Sequence, residues 1–142
     1  TTLFRSHGYK ETMGRIGKFP FPMSVEEALS YIKNKLEIPV LRYAGNRDRL
    51  VEKIAILGGA GAEFAEVAKS MGADLYLTGD LKYHEAQDAA MNGLVIADGG
   101  HFYTERVIIP YLAKRLRDEF KTRGWNVGVL EDVRAKDIFH CV

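Results

Sequence analysis

The segment Asp98-Gly99-Gly100-His101-Phe102-Tyr103-Thr104-Glu105 sets an imidazole and a carboxylate four residues apart, one turn if the segment is helical. Two such groups can reach a single ion, and their donor types suit zinc, iron or manganese. Gly99 and Gly100 free the backbone for a sharp turn, and Asp98 stands where a carboxylate would orient His101 through its second ring nitrogen. The same residues also admit a structural reading, in which Thr104 caps a long helix, Glu105 complements its dipole and His101 is a surface turn residue. Spacing alone leaves both open.

Two other segments carry candidate chemistry. In Thr78-Gly79-Asp80-Leu81-Lys82-Tyr83-His84, Asp80 and His84 fall one helical turn apart, as an acid/base pair or as metal ligands. Alternatively, Asp80 caps or opens the next helix and His84 is half-buried. In Gly58-Gly59-Ala60-Gly61, glycines after a strand let backbone N–H groups approach an anion, and Asp80 stands where a dinucleotide fold puts its ribose-binding acid. Phe64 occupies the position where that fingerprint needs Gly or Ala, which favours a plain strand-to-helix turn.

The elements that must hold these turns follow from the apolar pattern. Runs such as Ile54-Ala55-Ile56-Leu57 and Leu94-Val95-Ile96-Ala97 lack alternation, as strands covered on both faces do. Strands are expected at about 51–57, 73–78 and 94–98, helices near 61–71, 83–92 and 104–123, and a further strand near 126–130. Upstream, Ser24 and Glu27 form a capping box for an amphipathic helix over about 24–36, followed by a short strand at about 40–43. Gly14 to Pro22 reads as turn and extended connector. The fold class is α/β: repeated strand-helix units with a mostly parallel or mixed sheet. Its functional turns lie at the carboxyl ends of the strands. Trp125 and Phe120 are expected in the core.

The 142 residues make one domain, and 46% hydrophobic against 27% charged residues suits a globular core. A net charge of +1 gives no electrostatic case for nucleic acid or an anionic membrane. The single cysteine, Cys141, excludes an intrachain disulfide and a cysteine metal cluster. No apolar run approaches a membrane span and no signal-peptide pattern opens the chain, so a cytoplasmic location is expected. Residues 1–13 show neither period. Thr1 to Ser6 also match what the end of a common sequencing adapter encodes in one reading frame, so this segment is expected to be an unstructured stub or linker left by truncation.

The order of Gly14-Arg15-Ile16-Gly17, Pro22-Met23-Ser24, Gly58-Gly59-Ala60-Gly61, Thr78-Gly79-Asp80-x-x-Tyr83-His84 and Asp98-x-Gly100-His101-x-x-Thr104-Glu105 resembles the Nif-three-like dinuclear metal centre family, also known as type 2 GTP cyclohydrolase homologues. The resemblance covers about residues 14–142 and corresponds to that family's C-terminal lobe, one of two similar α/β lobes around a two-metal site. It implies His101 and Glu105 as metal ligands, the Glu105 carboxylate bridging both ions, with Asp80, His84, Asp98 and Thr104 in the surrounding pocket. Two divalent ions per complete subunit, a homohexamer, and a nucleotide or other small molecule as substrate are implied with it. His84 is the residue that would move protons. The family's other ligands, neighbouring histidines and an aspartate, belong to its N-terminal lobe, and residues 1–13 contain no replacement for them. The chain alone is therefore expected to be inactive. A non-catalytic metal-binding scaffold or regulatory hexamer is the alternative.

Overall fold

The computed structural model of the chain describes residues 2–5 and 12–140. A mixed six-stranded sheet runs in the order β1 (Thr2–Arg5), β2 (Thr12–Ser24), β4 (Leu50–Ala60), β5 (Leu75–Gly79), β6 (Val95–Asp98) and β3 (Arg42–Ala44). Its centre is parallel: β4, β5 and β6 lie side by side in one direction. Antiparallel strands close both sides, with β2 against β4 and β3 against β6. The parallel strands and the helices between them appear where the apolar runs place them.

Each face of the sheet has its own core. Leu75, Leu77, Val95 and Ala97 point to the side covered by α1 (Val25–Leu36), which contributes Val25, Ala28, Leu29 and Ile32. Tyr76 and Ile96, the alternate residues, pack with Ala65 and Ala68 of α2 (Ala65–Ser70) and Ala89 of α3 (Tyr83–Met91). The capping box at α1 forms as its sequence requires: Ser24 Oγ accepts from the Glu27 N–H at 3.2 Å, and Glu27 Oε2 accepts from the Ser24 N–H at 2.8 Å. α1 ends on Glu37, whose φ of 54° is left-handed.

Four expectations are corrected. Residues 12–24, expected to be largely connector, form the long strand β2. Pro20 and Pro22 lie where its register with β4 breaks, between Lys18 and Met23, so their missing N–H groups interrupt the ladder without ending the strand. Part of the expected stub, Thr2–Arg5, forms β1, which pairs with the open edge of β2 through Thr2↔Ile16 and Arg5↔Thr12. The rest of that segment, at 1 and 6–11, lies outside the described residues. The single helix expected over 104–123 is two helices, α4 (His101–Glu105) and α5 (Ile108–Thr122). No strand forms at 126–130: Gly124 turns the chain at φ +67° after α5, and the residues that follow join no sheet ladder. Trp125 consequently lies on the surface, 53% exposed, against Phe120 and under the Arg123 guanidinium.

A charged joint locks the entry to β5. Asp74 pairs with Arg49 at 2.7 Å and accepts from the backbone N–H groups of Glu52 and Lys53 at 3.0 and 2.9 Å. Partial burial works to raise its pKa, but these donors together hold the carboxyl below its ordinary range. A carboxyl depressed by folding adds stability above its unfolded pKa of about 3.9, and that contribution is lost as pH falls through the lower folded value. Asp74→Asn is expected to cost about 1.5–3 kcal/mol at neutral pH, and the gap from the parent should narrow as the pH falls below about 4. Urea melts at neutral and acidic pH measure it; an equal gap at both would refute the assignment.

Candidate metal centre

Three strand ends meet at the carboxyl edge of the parallel strands. β5 runs out through Thr78 and Gly79 into Asp80, a non-glycine residue at φ +53°. β6 runs out through Asp98 and Gly99 into Gly100 at φ +76°, and α4 begins at once on His101. β4 ends in Gly58, Gly59 and Ala60.

His101 is held on both ring nitrogens. Its Nδ1 lies 2.7 Å from Asp80 Oδ2, and its Nε2 lies 3.2 Å from Glu105 Oε2, one turn along the helix. The hydrogen bond to Asp80 is the largest influence on the ring; desolvation, the next largest, opposes it, but with the negative charges of Glu105 and Asp80 the net effect raises the imidazole pKa above its usual value. The orienting carboxylate is therefore Asp80, not Asp98 as the spacing suggested. The left-handed turn at Asp80 carries that side chain to His101, whereas Asp98 is taken up by the Gly100 and Leu81 N–H groups and by Arg42.

The buried Asp98 carboxylate accepts from the Gly100 N–H at 3.0 Å through Oδ1 and from the Leu81 N–H at 3.3 Å through Oδ2, and it pairs with Arg42. Thr104 does not cap a helix. Its hydroxyl accepts from the Gly59 N–H at 3.0 Å and lies 2.8 Å from the Gly100 carbonyl oxygen, to which it donates, so it ties the end of β4 to α4.

The glycines of β4 receive α4. A Cβ on Gly59, itself at φ +68°, would lie 2.5 Å from Glu105 Oε1 and 3.3 Å from His101 Cε1, and one on Gly58 would lie 2.6 Å from the Thr104 carbonyl oxygen. This close approach accounts for the glycine cluster without a dinucleotide, and it presses the His101–Glu105 face against bare backbone.

His84 is not part of this arrangement. Because Asp80 is left-handed and Lys82 is the N-cap of α3, the helical-turn relation between Asp80 and His84 does not exist. His84 is exposed, its ring edge-to-face with Tyr83 at 5.5 Å between centroids. His140 is exposed and lines the cavity that opens over Asp80, Asp98, His101 and Glu105. Arg42 was not foreseen from the sequence, because its role depends on the cross-strand register Arg42↔Asp98.

Among the described residues, no group of three or more His, Cys, Asp or Glu side chains gathers to hold a metal ion. His101 and Glu105 do fit part of such a centre: one borderline nitrogen and one carboxylate on the same face, with the far ring nitrogen engaged by Asp80. No helix among the described residues is long and apolar enough to cross a membrane.

A mixed α/β sheet presenting a carboxylate-supported His and a nearby Glu at its strand ends defines the class of the chain: an α/β domain with a His–carboxylate cluster at the carboxyl edge of its parallel strands. The family model for Duf34/NIF3 (NGG1p interacting factor 3) matches residues 2–136, and the chain belongs to that family. The match takes in residues 2–13, which the motif resemblance had left out. The chain is 32% identical over 142 residues to a Bacillus subtilis protein named GTP cyclohydrolase 1 type 2 homolog, covering 89% of the chain and 38% of that protein. It is 35% identical over 130 residues to a Clostridium perfringens protein of the same name, covering 92% of the chain and 48% of that protein. Among solved structures, a Bacillus cereus protein related to NIF3 superposes with a TM-score of 0.86 at 35% identity, covering 91% of the chain and 36% of its own. A hypothetical protein of Staphylococcus aureus gives 0.85 at 31% identity, covering 91% and 43%. The chain thus spans less than half the length of these relatives.

Proposed function

We propose that the chain carries the C-terminal ligand half of a dinuclear-metal hydrolase akin to the type 2 GTP cyclohydrolase homologues, with His101 and Glu105 as its ligands. The observation that carries this reading is the two-sided hold on His101. Asp80 takes Nδ1 at 2.7 Å, which leaves Nε2 beside Glu105 to meet a cation. When bound, a pair of zinc, iron or manganese ions supplies an activated water and a Lewis acid for the substrate oxygen. The chain's own residues fix the donors: Asp80 orients the imidazole, Thr104 fastens α4 to β4, and Gly59 leaves room for the carboxylate. Proton transfer is not assigned to His84, whose exposed ring lies against Tyr83. The remaining ligands belong to the part of the longer protein that this chain does not include. The relatives' names make a nucleotide, GTP first, the substrate class to test.

The complete protein is proposed to act in the cytoplasm as a homo-oligomer, a hexamer as in the family. On α5, Ile108, Leu112 and Leu116 share one face and are exposed, apolar surface of the kind that subunit contacts bury.

GTP turnover is measured with added zinc, iron or manganese for both the 142-residue chain and the longer protein. The chain should be inactive and self-associated in sedimentation; the longer protein should turn over, and lose turnover with His101→Ala. Turnover by the short chain that disappears with His101→Ala would overturn the half-site reading. Stoichiometric metal in the longer protein without turnover of any nucleotide would make it a metal-binding scaffold instead.

A further inference from the structure

The Asp80–His101 contact joins two separate turns, so something must hold those turns in register. Asp80 lies in the turn after β5, and His101 opens α4 directly after the Gly99–Gly100 turn that follows β6. The Asp98 carboxylate spans them: Oδ2 accepts from the Leu81 N–H, in the turn of Asp80, and Oδ1 accepts from the Gly100 N–H, in the turn of His101. From the neighbouring strand β3, Arg42 adds the same span from outside. One of its nitrogens lies 2.5 Å from Asp98 Oδ2 and 3.4 Å from the Leu81 carbonyl oxygen. The Asp98 side chain is 7% exposed and that of Arg42 72%, so the guanidinium closes the solvent side of a carboxylate whose other contacts face inward.

We propose that Arg42 is a positioning residue that acts through Asp98, clamping the 80–81 and 100–101 turns together so that Asp80 holds Nδ1 of His101 and Nε2 is left toward Glu105. Asp98 alone has one oxygen for each turn. Arg42 sets a guanidinium against this buried carboxylate, and the bond from Arg42 to the Leu81 carbonyl ties the cation to the same turn that Asp98 grips. Removing Arg42 leaves a buried carboxylate without its cation. The turns then relax, and Asp80 and His101 part. The geometry holds whether or not a metal binds; only the effect on metal affinity rests on the function proposed above.

The test reads the His101 ring directly. Two-bond proton–nitrogen spectra of the 142-residue chain, recorded where the imidazole is neutral, report which nitrogen carries the proton. The parent should hold it on Nδ1, facing Asp80. Arg42→Met keeps an unbranched stem on an exposed strand position and should shift the population toward the Nε2–H form, as should Asp98→Asn, while Arg42→Lys restores Nδ1–H in part. Far-ultraviolet circular dichroism establishes that each variant is folded, and Arg42→Gln substitutes for any that is not. A folded Arg42→Met or Arg42→Gln with the parent's ring spectrum would overturn the clamp. In parallel, broadening of the His101 signals by added manganese should need roughly tenfold more metal in Arg42→Met, at the low end of the losses seen when residues supporting a ligand are removed. If manganese broadens nothing in the parent, the metal reading fails, and the ring spectra still decide the clamp.

Discussion

Glu105→Gln in the longer protein is expected to empty both metal positions, whereas His101→Ala should weaken mainly one. The difference follows from charge. A neutral imidazole serves one ion, and its loss leaves the other with its carboxylates. A carboxylate shared by two dications lowers the repulsion between them, and glutamine keeps the size while removing that negative charge. In the fold, the Glu105 side chain is half-exposed, one oxygen lies beside His101 Nε2, and the other faces the place where a Gly59 Cβ would stand. Glu105 ends α4, where a negative charge does not serve the helix dipole; if it only paired with His101, the same substitution would leave metal content intact and cost at most about 1 kcal/mol. Elemental analysis of metal per subunit, beside a thermal melt, separates the two. Full occupancy in Glu105→Gln would remove the bridging role.

How legible this site was depends on whether each partner is local in sequence. His101 and Glu105 are one helical turn apart, and the motif shows them because a short helix brings them together whatever else the chain does. The parallel strands were equally plain, since Ile54 to Leu57 and Leu94 to Ala97 are apolar on both faces and meet helices on both faces. The orienting acid was misplaced. Asp98 is nearer His101 in sequence, but the turn at Gly100 directs its carboxylate to backbone N–H groups, and a left-handed residue twenty-one positions upstream reaches the ring instead. No periodicity encodes that contact. Arg42 is further still from view, because only the antiparallel pairing of β3 with β6 sets it opposite Asp98. The prolines of β2 misled in the other direction: they forbid ladder bonds at two positions, and the register break absorbs both.

Tyr76→Ala is expected to be the most damaging single change in the core, costing about 3–5 kcal/mol as large aromatic truncations do. Tyr76 is fully buried, and the residues around it are mostly small: Ala55, Ala65, Ala68, Ala73 and Ala89. Those alanines make room for the ring and cannot fill the space it leaves. Burial also pushes the phenol pKa well above its ordinary value, so the hydroxyl stays a donor, and it gives its proton to the Gly61 carbonyl oxygen at 2.6 Å. That bond ties the core to the chain just beyond Gly59, whose missing side chain leaves space for the Glu105 carboxylate. Tyr76→Phe therefore separates packing from tethering: the ring remains, the hydroxyl's bond to Gly61 is lost, and because the Gly61 carbonyl keeps the Phe64 N–H at 3.1 Å, a cost of about 0.5–1.5 kcal/mol is expected. Because Gly59 is then less firmly placed, manganese broadening of His101 in Tyr76→Phe should also require more metal than in the parent. Thermal melts of both variants give the energies. A Tyr76→Ala protein melting within a degree of the parent would show that the alanine-lined face closes over the gap. A Tyr76→Phe protein with the parent's melt and metal response would show that the glycine segment is held without the hydroxyl.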